Sequence, residues 1–494
     1  MTMPTSPPRY RLAPDLEISR IVTGLWQVAD MERDGHRLDL DAAAAELAAY
    51  AEAGFDSFDM ADHYGSAEDI AGRFLARHAP DFSSRALARP AMFTKWCPTP
   101  APMTAEVVRA GIQRSLGRLG VSAIDLLQFH WWDFAHLAWL DAARELAKLR
   151  HEGPIRHLGV ANFDTDHLRV LVAQGVPLAA NQVCFSLLDR RAAGEMSAFC
   201  LAHGIRLLAY GTLGGGLLSE RWLGAAEPAE GGIADWSKMK YRRFVEAIGG
   251  WGVLQRLLTT LDVLARKHGV SIANVATRWV LEQPAVAAVI VGARLGQSEH
   301  RGDNLRAFAF ALDAADHAAI DAALAGSVAL PGDCGDEYRH PPYLTASGDL
   351  SHHLEGFPHF YQPMLLPGGR RGVDSGSIWE VRCGFSRAVR TGNRILVSGT
   401  TATAGSGERV SAGDVAGQAA FILDKIAASL AALGGRLEDV VRTRIYLTDV
   451  AQWEAVSRVH GHVFERVRPA NTLVQVAGLI GNYGVEIEAE AELS

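Results

Sequence analysis

The sequence predicts an α/β chain of two folded units, a (β/α)8 TIM barrel followed by a smaller α+β domain. Three observations carry this expectation. A chain of 494 residues with 48% hydrophobic residues is too long for one ordinary core. Its first two thirds alternate eight short β-branched runs with longer amphipathic stretches. Between Gly356 and Gly376 it turns Pro/Gly-rich (GFPHFYQPMLLPGGRRGVDSG), and the pattern beyond is of another kind.

The eight runs are Ile21–Trp26, Phe55–Ala61, Met92–Trp96, Ile124–His130, Ile155–Asn162, Ala179–Phe185, Ile205–Tyr210 and Val286–Val291. The intervening helical patterns carry start and stop signals. Asp41 caps LDAAAAELAAYAEAG, closed by Gly54, and Thr104 caps TAEVVRAGIQRSLGRLG, closed by Gly120. Strand–helix units repeated eight times read as a closed barrel. A doubly wound sheet is the competitor, yet no Gly-x-Gly-x-x-Gly follows the first strand, and Gly214-Gly215-Gly216 falls after the seventh.

Beyond the Pro/Gly-rich stretch come a strand pair, Ser386–Val389 and Ile395–Thr401, around Thr391-Gly392-Asn393, and a helix from Val415 to Leu433. A strand Val440–Leu447, a helix Ala451–Phe464 and strands Thr472–Val476 and Val485–Ala491 complete it. Helices grouped against a mixed sheet make an α+β unit. The expected division is a barrel with its tail over 14–355, a linker over 356–377 and a second domain over 378–494.

A net charge of −8 without long Lys/Arg runs argues against nucleic-acid or anionic-membrane partners and leaves small molecules. Met1–Leu12 has no apolar h-region, and runs such as Ala285–Val291 are too short to span a bilayer, so a cytoplasmic protein is expected. The five cysteines lack paired spacing, which suits reduced thiols. His352, His353 and His359 have no His-Glu-x-x-His or cysteine partner, so no metal is expected.

Carboxyl ends of barrel strands converge on one face, where active sites of this fold sit. Strand two ends at Asp59 with Tyr64 just beyond, strand three at Lys95, strand four at His130, strand five at Asn162, strand six around Gln182 and strand seven at Tyr210. Singly, each is explained by a cap or a satisfied structural polar group. Gathered on one rim, they make a site.

Asp59, Tyr64, Lys95 and His130 resemble the catalytic tetrad of the aldo-keto reductase family. The resemblance rests on Asp59-x-Ala61-x-x-Tyr64-Gly65, Phe93-Thr94-Lys95, Leu127-Gln128-Phe129-His130, Gly159-Val160-Ala161-Asn162-Phe163, Asn181-Gln182 and Ala209-Tyr210-Gly211-Thr212-Leu213, in that order. It implies NADP(H)-dependent reduction of an aldehyde or ketone, or oxidation of the matching alcohol or sugar. Hydride delivery to a carbonyl leaves negative charge on oxygen, so a proton donor must stand there, and that is Tyr64. The Lys95 ammonium would lower the phenol's pKa, and Asp59 would keep that buried lysine charged. His130 would hydrogen-bond and orient the substrate oxygen. Asn162 and Gln182 would hold the nicotinamide carboxamide, and Tyr210 would stack on its ring beside Gly211 and Leu213. Ala161 replaces the serine or threonine of many relatives.

Gly292, Arg294 and Asn304 resemble the site that grips an adenosine 2′-phosphate, with the Arg294 fork suited to phosphate and one of Gln297, Ser298 and His300 assisting. Lys238, Lys240, Arg242 and Arg243 form a basic cluster, either a solvated loop or a second phosphate clamp. Trp26, Trp96, Trp131 and Trp132 fall at or past strand ends and predict an aromatic substrate pocket. Asp62 and His63 read as a solvated turn ahead of a helix capped by Ser66. The tail Pro331–Leu354 lacks periodicity and is long for a connection, which marks a functional loop, and the resemblance to aldo-keto reductases implies that it folds over the pocket mouth.

In the second domain, Arg390–Gly399 (RTGNRILVSG), Asp439–Asp449 (DVVRTRIYLTD), Arg468-Pro-Ala-Asn471 and Val485-Glu-Ile-Glu-Ala489 resemble the reactive-intermediate deaminase (Rid, or YjgF) family. That implies a Rid-like, chorismate-mutase-like fold and a homo-oligomer, typically a trimer, with sites at subunit interfaces. The departures matter. Asn471 stands where active imine deaminases carry a carboxylate-clamping arginine, and Phe385 where they often carry a tyrosine, while Glu486 matches the acid that positions water. A neutral amide cannot supply the charge-assisted pair that a carboxylate calls for. A scaffold or ligand binder is the expectation. The alternatives to a reductase with a divergent Rid domain are a cofactor-bound interaction protein, as in potassium-channel β subunits, and a bifunctional reductase and imine deaminase.

Overall fold

The computed structural model describes residues 4–493 apart from 33–34, 85–87, 230–231, 234, 298, 340–344, 346–356 and 406. Ser298, His352 and His353 lie outside the described residues, as does most of the tail beyond Arg339. The chain begins with a hairpin, β1 (Arg9–Ala13) and β2 (Leu16–Ser19). Its Leu12, Leu16 and Ile18 pack with Val22, Phe93, Leu126, Leu208 and Ala288, an apolar plug inside the barrel that starts before the expected boundary at residue 14.

The barrel strands are β3 (Ile21–Gly24), β4 (Ser57–Asp59), β5 (Ala91–Trp96), β6 (Ile124–His130), β7 (Ile155–Ala161), β8 (Leu178–Cys184), β9 (Arg206–Tyr210) and β10 (Val286–Gly292). They run parallel, and pairing of Val289 on β10 with Ile21 on β3 closes the ring. Each expected run holds one strand. The strands are buried along most of their length because helices cover the outside and the interior is packed with side chains. Register aligns the functional ends: Gly24 lies opposite Asp59, Lys95 opposite Gln128, His130 opposite Ala161 and Ala161 opposite Gln182.

Helix punctuation follows the sequence with two departures. Thr104 accepts from Val107 N and Gly120, at φ 64°, ends Ala105–Leu119 as expected. The helix Leu40–Glu52 is capped by Asp39, whose carboxylate accepts from the backbone of Asp41 and Ala42; Asp41 sits in its first turn. Ahead of the helix Ala67–Arg77, Ser66 makes no cap and instead donates its backbone N–H and hydroxyl to Glu32.

The second domain is a seven-stranded mixed sheet: β11 (Pro363–Leu365), β12 (Arg371–Val373), β13 (Ala388–Thr391), β14 (Arg394–Thr400), β15 (Val440–Leu447), β16 (Ala470–Gln475) and β17 (Val485–Glu492), in the order 11-12-13-14-17-15-16. The segment expected to be a linker supplies β11 and β12. Its Pro367-Gly368-Gly369 stretch makes the turn, with both glycines at positive φ, and three-residue edge strands are too short to show a period.

The helix Val415–Ala432 is buried on nearly every side, even at Asp424 and Lys425. It has the length and composition to cross a membrane, but its apolarity has another cause. One face covers the domain's own sheet and another packs against the barrel helix Thr165–Ala173. Around this seam His167 meets Asp424 at 3.1 Å, Arg144 meets Glu408 at 3.1 Å and Arg458 meets Asp166 at 2.6 Å.

Candidate active site

A cavity of about 600 Å³ opens at the carboxyl end of the barrel. β4 delivers Asp59 and the following turn brings Tyr64 beneath Trp26, their rings edge-on at 4.9 Å. β5 delivers Lys95, whose ammonium donates to Asp59 Oδ2 at 2.6 Å and to Met60 O at 3.0 Å. Its Nζ lies 4.9 Å from the centre of the Tyr64 ring. The other oxygen of Asp59 accepts from Gln128 Nε2 at 2.8 Å and Gln182 Nε2 at 2.7 Å, so the buried carboxylate is saturated by donors.

β6 delivers His130, and its Nδ1 lies 3.0 Å from Ala161 O. A carbonyl can only accept, so Nδ1 carries a proton. Burial first, then the Arg339 charge, holds the His130 pKa well below its ordinary value. The ring is therefore neutral, and Nε2, buried and without a hydrogen-bond partner among the described residues, is an acceptor. This differs from a simple donor to a carbonyl oxygen. The cause is local backbone, since Asn162 just after β7 takes φ 58°, a left-handed conformation that Asn tolerates, and directs its N–H to Gln182 O.

Asn162 Oδ1 accepts from Tyr210 Oη at 2.8 Å, and Tyr210 is 3.1 Å from Tyr338 Oη. Burial raises the Tyr210 pKa well above its ordinary value, so its phenol stays protonated. Gly211, Leu213, Gly292, Arg294 and Asn304 also line the cavity, as do Trp26 and Trp132. His63 joins them, edge-on to Tyr64, though Asp62 and His63 read as a solvated turn in the sequence.

Trp96 and Trp131 do not line it. Trp96 is buried against Gly111 and stacks on Phe129, while Trp131 Nε1 donates to Asp133 O at 2.7 Å. Alternation along the strands turns both away from the rim. Arg294 is engaged as well, meeting Asp30 at 2.7 Å and Asp235 in a close ion pair. Gln27 Oε1 is a further buried cavity-wall atom without a partner among the described residues. Unsatisfied polar atoms on both walls, with backbone exposed at Gly211, Gly215, Gly216 and Gly292, fit an elongated polar cofactor.

Residues 20–325 match the family model described as the aldo/keto reductase family. The chain belongs to that family. Its aldo-keto reductase barrel is 27% identical to the structure of the glycerol dehydrogenase AKR11B4 from Gluconobacter oxydans, covering 66% of this chain and 97% of that one at a TM-score of 0.51. Flagellar radial spoke protein 5 of Chlamydomonas reinhardtii is 31% identical over 216 residues, which span 38% of this chain and 41% of that protein. Residues 379–493 match the family model described as endoribonuclease L-PSP. An uncharacterized protein of Streptomyces coelicolor is 40% identical over 125 residues, 24% of this chain and 90% of its own. The aldo-keto reductase thus carries a YjgF-like carboxyl-terminal domain.

In that domain Asn471 and Glu486 stand on opposite sides of one strand. Asn471 pairs with Thr443 on one side of β15, while Glu486 pairs with Tyr446 on its other side, three residues along. Asn471 Nδ2 donates to Thr443 Oγ1 at 2.9 Å. Burial, then Glu488, raises the Glu486 pKa. Lys425, unmarked in the sequence, donates to Thr401 O and Thr403 O, and burial pushes its pKa down to about 7.

The sequence also passes over Tyr338, Gln27 and the Asp30/Asp235 pair. Tyr338 sits in the aperiodic tail and is buried in the cavity wall, with its Oη accepting from Lys240 Nζ at 2.7 Å. Only the tail's length hinted at it.

Proposed function

We propose that the chain is an NADP(H)-dependent carbonyl reductase, acting in reverse as an alcohol dehydrogenase, with Tyr64 as proton donor. The observation that carries this is Lys95 held between the Asp59 carboxylate and the Tyr64 ring at the end of a buried strand. A lysine there has no packing role, and its charge favours the phenolate that forms as Tyr64 gives up its proton. When bound, the dinucleotide supplies or accepts the hydride. Tyr210 and Asn162 form the wall for the nicotinamide. Gln182 holds Asp59 in place and lines the same cavity.

His130 supports a narrower substrate class. An acceptor Nε2 cannot donate to a carbonyl, but it receives a hydroxyl on a neighbouring carbon. A hydroxyaldehyde, hydroxyketone or polyol fits, in keeping with a relative named as a glycerol dehydrogenase.

NADP(H) rests on Arg294 and the nearby Lys238. The ion pairs of Arg294 with Asp30 and Asp235 favour NAD(H) as a second reading, because two carboxylates already neutralise the guanidinium and would repel a 2′-phosphate. The YjgF-like domain serves as a scaffold or ligand binder and as the oligomerising unit, probed as a trimer, in a cytoplasmic enzyme. Absorbance at the reduced-nicotinamide band, with NADPH or NADH and aldehydes including glyceraldehyde, tests the reading. Turnover faster with glyceraldehyde than with a deoxygenated analogue supports it, and no turnover with any aldehyde and either cofactor overturns it in favour of a cofactor-bound interaction protein.

A further inference from the structure

The tail segment 333–339 is where the two domains and the cavity meet. Tyr338 stands edge-on to His130 at 5.2 Å and to Trp132 at 6.2 Å, so it roofs the pocket beside the acceptor Nε2. Two residues earlier, Asp336 Oδ2 lies 2.8 Å from His462 Nε2, on the second domain's helix Trp453–Phe464. The other nitrogen of His462 is 3.3 Å from Asp166, which also receives Arg458.

The barrel's side of this seam is acidic. Asp164, Asp166, Asp333 and Asp336 are crowded there, with Glu195 on the rim. Barrel residues answer part of that charge: His167 contacts Asp164, Thr165 N donates to Asp333, Arg191 donates to Asp333 O and Glu337, and Arg339 lies over Phe134. For Asp336 the facing cation is His462, from the other domain. Asp336 Oδ2 also accepts from Asp333 N at 2.7 Å, but that neutral donor does not replace a cation; without His462 the half-buried carboxylate stands among like charges, and swinging toward water relieves it. Tyr338 would move with it. Gly335 has little slack, since it runs at φ 95° against Asn162 O where a Cβ would collide.

We propose that the YjgF-like domain completes the reductase pocket: His462 is a positioning residue that, through Asp336, fixes Tyr338 as a substrate-contacting residue over His130. This rests on the reductase reading above. It makes the second domain a support for the active-site wall whether or not it has chemistry of its own.

The test uses the full chain, with NADPH and glyceraldehyde as probes and amide hydrogen exchange over 333–339 as a readout independent of turnover. His462→Ala should raise the KM for glyceraldehyde about ten-fold, with kcat and the NADPH Kd within about two-fold, because binding geometry is lost rather than the proton donor. Exchange over 333–339 should speed up by about ten-fold or more. Added to Tyr338→Ala, His462→Ala should change KM by less than about two-fold, since both act through one side chain. Should His462→Ala fail to fold, Asp336→Asn removes the charge from the other side. Unchanged exchange in the soluble variant, or KM effects that multiply in the double variant, would overturn the proposal. Faster exchange in His462→Ala, where the wild type itself reduces no aldehyde, would keep the positioning role and sink the reductase reading instead.

Discussion

Lys95 Nζ lies 2.6 Å from Asp59 Oδ2, both groups buried, with Gln128 and Gln182 occupying the remaining carboxylate oxygen. The pair sets the field under the Tyr64 ring.

Tyr64→Phe removes the phenolic proton donor and leaves the cavity otherwise intact. The rate of NADPH-dependent reduction should fall by about 10² to 10⁴, with NADPH affinity nearly unchanged. Steady-state kinetics together with cofactor-binding fluorescence check both halves, and retention of most activity would remove Tyr64 from the role.

Arg294→Ala separates the two cofactor readings. If a 2′-phosphate displaces Asp30 and Asp235, NADPH affinity should fall about ten- to a hundred-fold while NADH affinity holds, since charged hydrogen bonds contribute about 1.5–3 kcal/mol. Dissociation constants for both cofactors decide it. Equal changes would leave Arg294 as an ion-pair anchor for Asp30 and Asp235.

Asn471 in the full chain tests the second domain. Wild-type protein should clear 2-iminopropionate no faster than a buffer control, and Asn471→Arg should gain binding of small carboxylates by about ten-fold, because the guanidinium restores a charge-assisted pair. Light scattering on the same samples reports whether it is a trimer. Fast clearance by the wild type would show that another cation has taken over the clamp.

The domain seam carries a pH signature. Burial opposes the His167 cation, but Asp164 and Asp424 raise its pKa to about 10. A histidine raised in the folded state stabilises fully below its unfolded value of 6.5 and loses that contribution as pH climbs through about 10. Asp424, pushed up to about 6 by burial, changes in the same direction, its contribution fading as pH passes about 6. Lys425, lowered to about 7 by burial, works the other way above that value, so the His167 share is read against His167→Gln: the wild type's advantage in unfolding midpoint should shrink from pH 6.5 to 9, by up to about 1.4 kcal/mol per pH unit. A gap between the two proteins that does not change with pH would remove His167 as its source.

The barrel, the order of its strands and the gathering of Asp59, Tyr64, Lys95 and His130 were legible from the residues alone. The reason is local: a strand's period fixes which residue ends it, and eight parallel strands send all their carboxyl ends to one rim. Tertiary structure alone decided the rest. Trp96 and Trp131 face away from the cavity because Lys95 and His130, one residue earlier, face into it, as the strand period implies; only the fold shows what receives them, Gly111 and Asp133. The proton on His130 Nδ1 depends on the Ala161 carbonyl one strand over. Arg294 found carboxylates at positions 30 and 235, and His462 found Asp336 more than a hundred residues upstream, pairings set by where closed cores leave uncompensated charge. The helix Val415–Ala432 is apolar on nearly all sides for the same kind of reason: its second burying partner is a barrel helix that the sequence gives no sign of bringing there.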